Sequence, residues 1–74
     1  MDIRRLDLNL LVVLEAIHAE GSLTKAARRL NLSQPALSHA LGRLRQALDD
    51  PLFIRQGNRM VPTPRTQRLI APLH

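Results

Sequence analysis

The sequence predicts a mainly α-helical winged helix-turn-helix: a three-helix core, a two-stranded β wing and the start of a C-terminal linker helix. Three observations carry that expectation. Apolar residues recur at helical spacing in three successive stretches, each opened or closed by a capping residue. Only about ten residues, 52–61, have β character, and they surround one turn signal, Gly57-Asn58. The third feature is the charge pattern. Lys and Arg number 11 against 6 Asp and Glu, for a net charge of +5, yet residues 21–48 and 51–74 contain no acid at all. They hold Lys25, Arg28, Arg29, Arg43, Arg45, Arg55, Arg59, Arg65 and Arg68. A merely solvated surface mixes signs; segregation of this kind is the footprint of a face that meets a polyanion.

Seventy-four residues make one small domain, which buries only about 60% of its unfolded surface. With no cysteine, neither a disulfide framework nor a thiolate metal site supports it. Arg4 and Arg5 ahead of residues 10–14 imitate a signal peptide, but Asp7 and Asn9 interrupt the approach and no small-x-small site follows. No stretch reaches the roughly 20 apolar residues of a membrane span. A soluble, cytoplasmic protein is expected.

The first helix is expected over residues 6–19. Leu10, Leu11, Leu14 and Ile17 or His18 line one side, Asp7 serves as N-cap or first-turn acid, and Gly21 ends the helix. Val12 and Val13 widen the apolar side. Ser22 caps a second helix ending near Leu30, where Ala26 and Ala27 allow close approach of a neighbour. Asn31 suits a left-handed turn position, and Leu32 is expected to plug that turn into the core. Ser33 caps the third helix with Pro35 in its first turn. Leu37, Ala40, Leu41, Leu44 and Leu48 form its inner stripe. Gln34, Ser38, Gly42 and Arg45 fall beside that stripe, and Pro35, His39, Arg43 and Gln46 lie farther out. No acid or large apolar residue occupies the outer side.

Asp49, Asp50 and Pro51 close the third helix, and Phe53, the one aromatic residue, is expected to anchor the wing. Arg55 and Arg59 then fall near its tip. Thr63 and Pro64 form an N-cap and N1 pair that opens a last helix, which Pro72 kinks or stops. Two units are expected: residues 1–62 as the winged helix-turn-helix and residues 63–74 as the start of that last helix. Apolar residues so near the end make the chain read as truncated. The core set in every reading is Leu10, Leu14, Ile17, Leu23, Leu30, Leu37, Leu41, Leu44 and Phe53.

The order helix, helix-turn-helix, wing, helix resembles the N-terminal DNA-binding domain of LysR-type transcriptional regulators across essentially the whole chain. Leu32-Ser33-Gln34-Pro35-Ala36-Leu37-Ser38 and Asp49-Asp50-Pro51-Leu52-Phe53-Ile54-Arg55 carry the likeness. So do Gly21-Ser22-Leu23-Thr24-Lys25-Ala26-Ala27 and Pro62-Thr63-Pro64. The wing looks most like the branch that contains nodulation and aromatic-catabolism activators. The resemblance implies a third helix in the major groove of double-stranded DNA and a wing in the adjacent minor groove. It also implies residues 1–62 as the DNA-binding domain and residues 63–74 as the start of a linker helix through which a homodimer forms on a dyad-symmetric site, a tetramer in the full-length protein, and a small-molecule effector bound only by a C-terminal domain absent from these residues.

On that reading Gln34 offers an amide donor and acceptor to adenine, and Pro35 and Ala36 meet a thymine methyl. Ser38 and His39 reach base edges or backbone. Ser22, Thr24, Lys25, Ser33 and Arg43 are the candidates for phosphate. Arg55, helped by Arg59, reaches the minor groove, whose narrow A·T-rich segments attract arginine. Arg28, Arg29 and Arg45 stand equally well as phosphate contacts or as solvated surface. The rival is a winged-helix module that contacts protein, against which the acid-free side of the third helix argues. Enzyme signals are missing: His18, His39 and His74 have no ligand spacing, Asp49 and Asp50 are neighbours rather than an opposed pair, and the three glycines stand apart. No cofactor or metal is expected.

Overall fold

Helix α1 spans Ile3–Glu20 and is the post against which the other elements lean. The computed structural model describes residues 3–71. The helix starts three residues before the expected residue 6, because nothing from Ile3 to Leu6 breaks a helix. Asp7 therefore lies within the helix rather than capping it, and the first turn holds no acid. Gly21, at φ 66, ends α1 with its N–H donating to the Ile17 carbonyl at 2.8 Å. Leu14, Ala16 and Ile17 are buried, as is Val13. Val12 is 52% exposed, so only one of the two valines widens the core side.

Ser22 opens α2 (Leu23–Arg29) in extended conformation, its Oγ accepting from the Lys25 N–H. The exit is a Schellman motif. The Leu32 N–H donates to the Ala27 carbonyl at 2.8 Å and the Asn31 N–H to Arg28 at 3.2 Å, with Asn31 left-handed at φ 59. That reversal turns Leu32 outward, to 42% exposure, against the expectation that it would enter the core. The half-buried Leu30 and the buried Leu37 fill the inner positions on either side of the turn.

Helix α3 covers Gln34–Leu48. The Ser33 Oγ accepts from the Ala36 N–H at 3.2 Å, a cap whose loss costs about 1 kcal/mol. Leu37, Leu41 and Leu44 are buried, and Leu48 packs partly against the same core. Asp49 closes the helix in the left-handed region at φ 51.

Strands β1 (Phe53–Gln56) and β2 (Arg59–Pro62) pair antiparallel, with Phe53 opposite Pro62 and Gln56 opposite Arg59. Gly57 takes φ 61 and Asn58 has no positive φ, the pattern of a type II′ hairpin. A two-stranded ribbon is marginal alone. It is held by the buried Phe53 and Met60 and by the Met60 N–H donating to the Gly21 carbonyl at 3.1 Å. Thr63 caps α4 (Pro64–Ile70), its Oγ1 accepting from the Thr66 N–H, and α4 packs on α1 through the buried Ile70. Pro72 and its effect on this helix lie outside the described residues.

Of the expected core set, Leu14, Ile17, Leu37, Leu41, Leu44 and Phe53 are buried, while Leu10, Leu23 and Leu30 are packed only in part. Val13, Ala16, Ala26, Ala27, Leu52, Met60, Thr63, Thr66 and Ile70 are the other buried residues among those described.

Candidate nucleic-acid interface

The starts of α2 and α3 and the tip of the wing meet around one cleft of about 130 Å³. Its walls are Ser22, Leu23 and Thr24 from α2, Gln34 from α3, and Arg55, Asn58, Arg59 and Met60 from the wing. Strand alternation explains the arginine. Arg55 stands two residues beyond Phe53 and opposite Met60, so it shares their side of the ribbon and continues it past the edge of the core. Two guanidiniums and two hydroxyl side chains thus converge on one opening, with no carboxylate in its lining.

Helix α3 shows a different surface on its outer side. Pro35, Ala36, His39 and Arg43 are exposed, and Ser38 is half-buried. Gln34 and Arg43 are nine residues apart, or roughly 13 Å along a helix, so Arg43 does not belong to the cleft. Lys25 and Ser33 are exposed beside the two helix starts. The expected contacts therefore divide between the cleft (Ser22, Thr24, Gln34, Arg55, Arg59) and the outer side of α3 with its flanks (Lys25, Ser33, Pro35, Ala36, Ser38, His39, Arg43).

The side of α3 that carries Gln34 and Ser38 runs on to Arg45, which has work inside the molecule. Its Nε donates to the Pro51 carbonyl at 2.7 Å and an Nη donates to the Phe53 carbonyl at 3.1 Å. By sequence Arg45 suits phosphate and solvent equally; in the structure it braces the root of the wing. Arg65 does similar work from α4, donating to the Leu48 carbonyl at 2.8 Å. Arg29 lies 3.5 Å from Glu20 and 4.0 Å from Glu15, exposed pairs of little energetic weight.

Sequence reasoning missed the group around Asp50. One carboxylate oxygen accepts from the Leu52 N–H and from the Thr63 hydroxyl, both at 2.8 Å. These two hydrogen bonds, Thr63 first, hold the Asp50 carboxyl below the usual carboxylate range, with the charges of Arg65 and Arg68 assisting against partial burial. The Thr66 hydroxyl donates to the Leu52 carbonyl at 2.7 Å. A signal existed for half of this: Asp-Pro favours a turn in which the aspartate binds the N–H two residues on. The bonds from Thr63 to Asp50 and from Thr66 to Leu52 span 13 and 14 residues, and no local pattern announces them.

Among the described residues no helix is long and apolar enough to cross a membrane. Nor does any group of three His, Cys, Asp or Glu side chains there suit a metal ion.

Comparison with known proteins bears out the resemblance that the sequence suggested. The family model described as bacterial regulatory helix-turn-helix protein, LysR family, matches residues 8–67. Nodulation protein D of Rhizobium leguminosarum bv. trifolii is 56% identical over 69 residues, 93% of this chain and 22% of that protein. A probable transcriptional regulator from Pseudomonas aeruginosa, known from a crystal structure, is 56% identical with a TM-score of 0.86, over 96% of this chain and 24% of that one. The BenM DNA-binding domain, crystallised with benA site 1 DNA, is 29% identical with a TM-score of 0.76, over 97% of this chain and 75% of that one. The chain thus spans about a fifth of the length of the curated relatives it matches.

Proposed function

Because this chain belongs to the LysR family of bacterial regulatory helix-turn-helix proteins, we propose that it binds double-stranded DNA sequence-specifically, with α3 in the major groove and the wing in the adjacent minor groove. The observation that carries the reading is the convergence of α2, α3 and the wing on one acid-free, arginine-lined side. A duplex presents phosphates on both sides of every groove, so a helix and a wing on one side of the molecule can engage neighbouring grooves across one strand. Gln34, Pro35, Ala36, Ser38 and His39 are proposed to meet base edges, and Ser22, Thr24, Lys25, Ser33 and Arg43 to meet phosphate. Arg55 and Arg59 are the wing's contacts, with the cleft between wing and helices left to straddle the intervening strand.

Residues 1–62 form the DNA-reading unit in this proposal, and α4 from Thr63 onward begins the helix through which two copies pair. A dimer would read a dyad-symmetric site, in the cytoplasm, under the control of an effector held by another part of the protein. Tetramers would pair two such dimers.

The test is selection of bound duplexes from a random pool with the natural full-length protein. Enrichment of one dyad-symmetric sequence is expected. Absence of enrichment, together with no binding to random duplex at low salt, would abandon the DNA reading in favour of a module that contacts protein.

A further inference from the structure

The turn that joins α3 to the wing is built against two ordinary preferences. Asp49 and Asp50 stand at the C-terminal end of α3, where the helix dipole disfavours negative charge. Leu52, a branched residue with no exposed surface, takes φ 66, a region that side chains of its kind avoid. The Phe53 N–H donates to the Pro51 carbonyl at 2.7 Å across it. An i to i+2 bond around a central residue of positive φ is the rare, strained form of the γ-turn.

Apart from that internal bond of the Phe53 N–H, the polar groups of the turn are held from outside. Asp50 takes the Leu52 N–H. The Leu52 carbonyl accepts from the Thr63 N–H at 2.9 Å and from the Thr66 hydroxyl. Arg45 of α3 holds the carbonyls of Pro51 and Phe53. Asp50 also takes the Thr63 hydroxyl, the cap of α4. Two helices, α3 and α4, together with Asp50 thus fix one strained residue, and β1 leaves from it with the direction they impose. A strained turn persists only where its surroundings over-determine it, and such turns gather where geometry serves function.

We propose that Asp50 and Thr66 are positioning residues that set the wing's distance and angle from α3, so that Arg55 reaches its groove while α3 occupies the neighbouring one. The proposal rests on the two-groove reading of DNA binding given above. Neither residue needs to touch DNA. Without them the Leu52 turn relaxes toward a commoner conformation, the ribbon changes its angle about its remaining anchor at Met60 and Gly21, and α3 keeps its own caps at Ser33 and Asp49.

The experiment footprints the natural full-length protein on the duplex selected above, at a temperature well below every variant's unfolding midpoint. Dimethyl sulfate reads guanine N7 in the major groove, and hydroxyl radical reads the sugars along the minor groove. Asp50→Ala and, separately, Thr66→Val are expected to keep guanine protection at saturating protein while losing the flanking sugar protection, as Arg55→Ala does. In the Asp50→Ala background, Arg55→Ala should weaken binding by less than about twofold, against about tenfold in the wild type. Should Asp50→Ala not fold, Thr66→Val, which only exchanges a hydroxyl for a methyl, carries the same comparison.

Equal cost of Arg55→Ala in both backgrounds, or parallel loss of both protections, overturns the proposal and leaves the DNA reading standing. If the wild type shows no flanking protection, or Arg55→Ala leaves it intact, the wing's contact is itself wrong and the positioning role falls with it.

Discussion

Gln34 sits at the first position of α3, exposed, with Ser33 behind it already satisfying a helix N–H. Its amide is thus not needed as a cap and remains available to pair with a base edge. Gln34→Ala is expected to cost about 1–3 kcal/mol on the selected duplex and much less on random duplex. Competition titrations check this, and equal losses on the two would remove the base-reading role. Asp50 gives a different kind of prediction. Its folded-state pKa is depressed by Thr63 and Leu52, so between the ordinary and the depressed value the unfolded chain binds more protons than the folded one. Stability therefore holds at neutral pH and is lost as pH falls, first through the ordinary carboxylate value and then through the depressed one. Acid unfolding followed by circular dichroism should show this component in the wild type and not in Asp50→Asn. An identical acid limb in both would mean the two hydrogen bonds are not retained in solution.

At the scale of elements, α3 contains one residue that contradicts its own helix. Gly42 lies mid-helix, and a Cβ built there meets nothing within 4 Å beyond its chain neighbours and the adjoining turns of its own helix backbone. Since glycine in a helix interior is about 1 kcal/mol worse than alanine, Gly42→Ala should raise stability by roughly 0.5–1 kcal/mol. Thermal unfolding tests this, and a lowered midpoint would show that the helix bends there in solution. The same scale shows what the sequence made legible. Ser22, Ser33 and Thr63 each cap the helix that follows, because a cap depends on bonds three residues long. Asn31 and Gly57 took positive φ because local sterics alone select such residues. Leu32, Leu52 and Arg45 were not legible. Leu32 is apolar and next to a turn, but the Schellman reversal decides which way it faces. Leu52 reads as an ordinary β-prone residue, and its strained φ exists only because Asp50, Thr63, Thr66 and Arg45 arrive from elsewhere. Of the candidate site, the residue types were readable, whereas the grouping of Arg55 and Arg59 with Ser22 and Thr24 required the wing to be packed.

For the molecule as a whole, charge and shape must be taken together. The net charge of +5 understates the field on one side, because Glu15 and Glu20 stand near Arg29 and neither belongs to the cleft lining. Residues that meet phosphate displace condensed counterions, so log affinity should fall linearly with log salt, with a slope of about −0.9 for each phosphate neutralised. Arg43 is exposed on α3 outside the cleft and, as a phosphate contact, should account for about one unit of that slope. Arg43→Ala is therefore expected to weaken specific and random duplex alike and to flatten the slope by about one. Arg45→Ala should behave differently although it removes the same charge two residues away. Arg45 is committed to the carbonyls of Pro51 and Phe53, so its loss should lower the unfolding midpoint while changing the slope by much less. Fluorescence titrations at four salt concentrations, paired with thermal unfolding of both variants, separate the two. If both variants lose slope equally and neither loses stability, the division between a DNA-facing and a wing-bracing arginine is wrong.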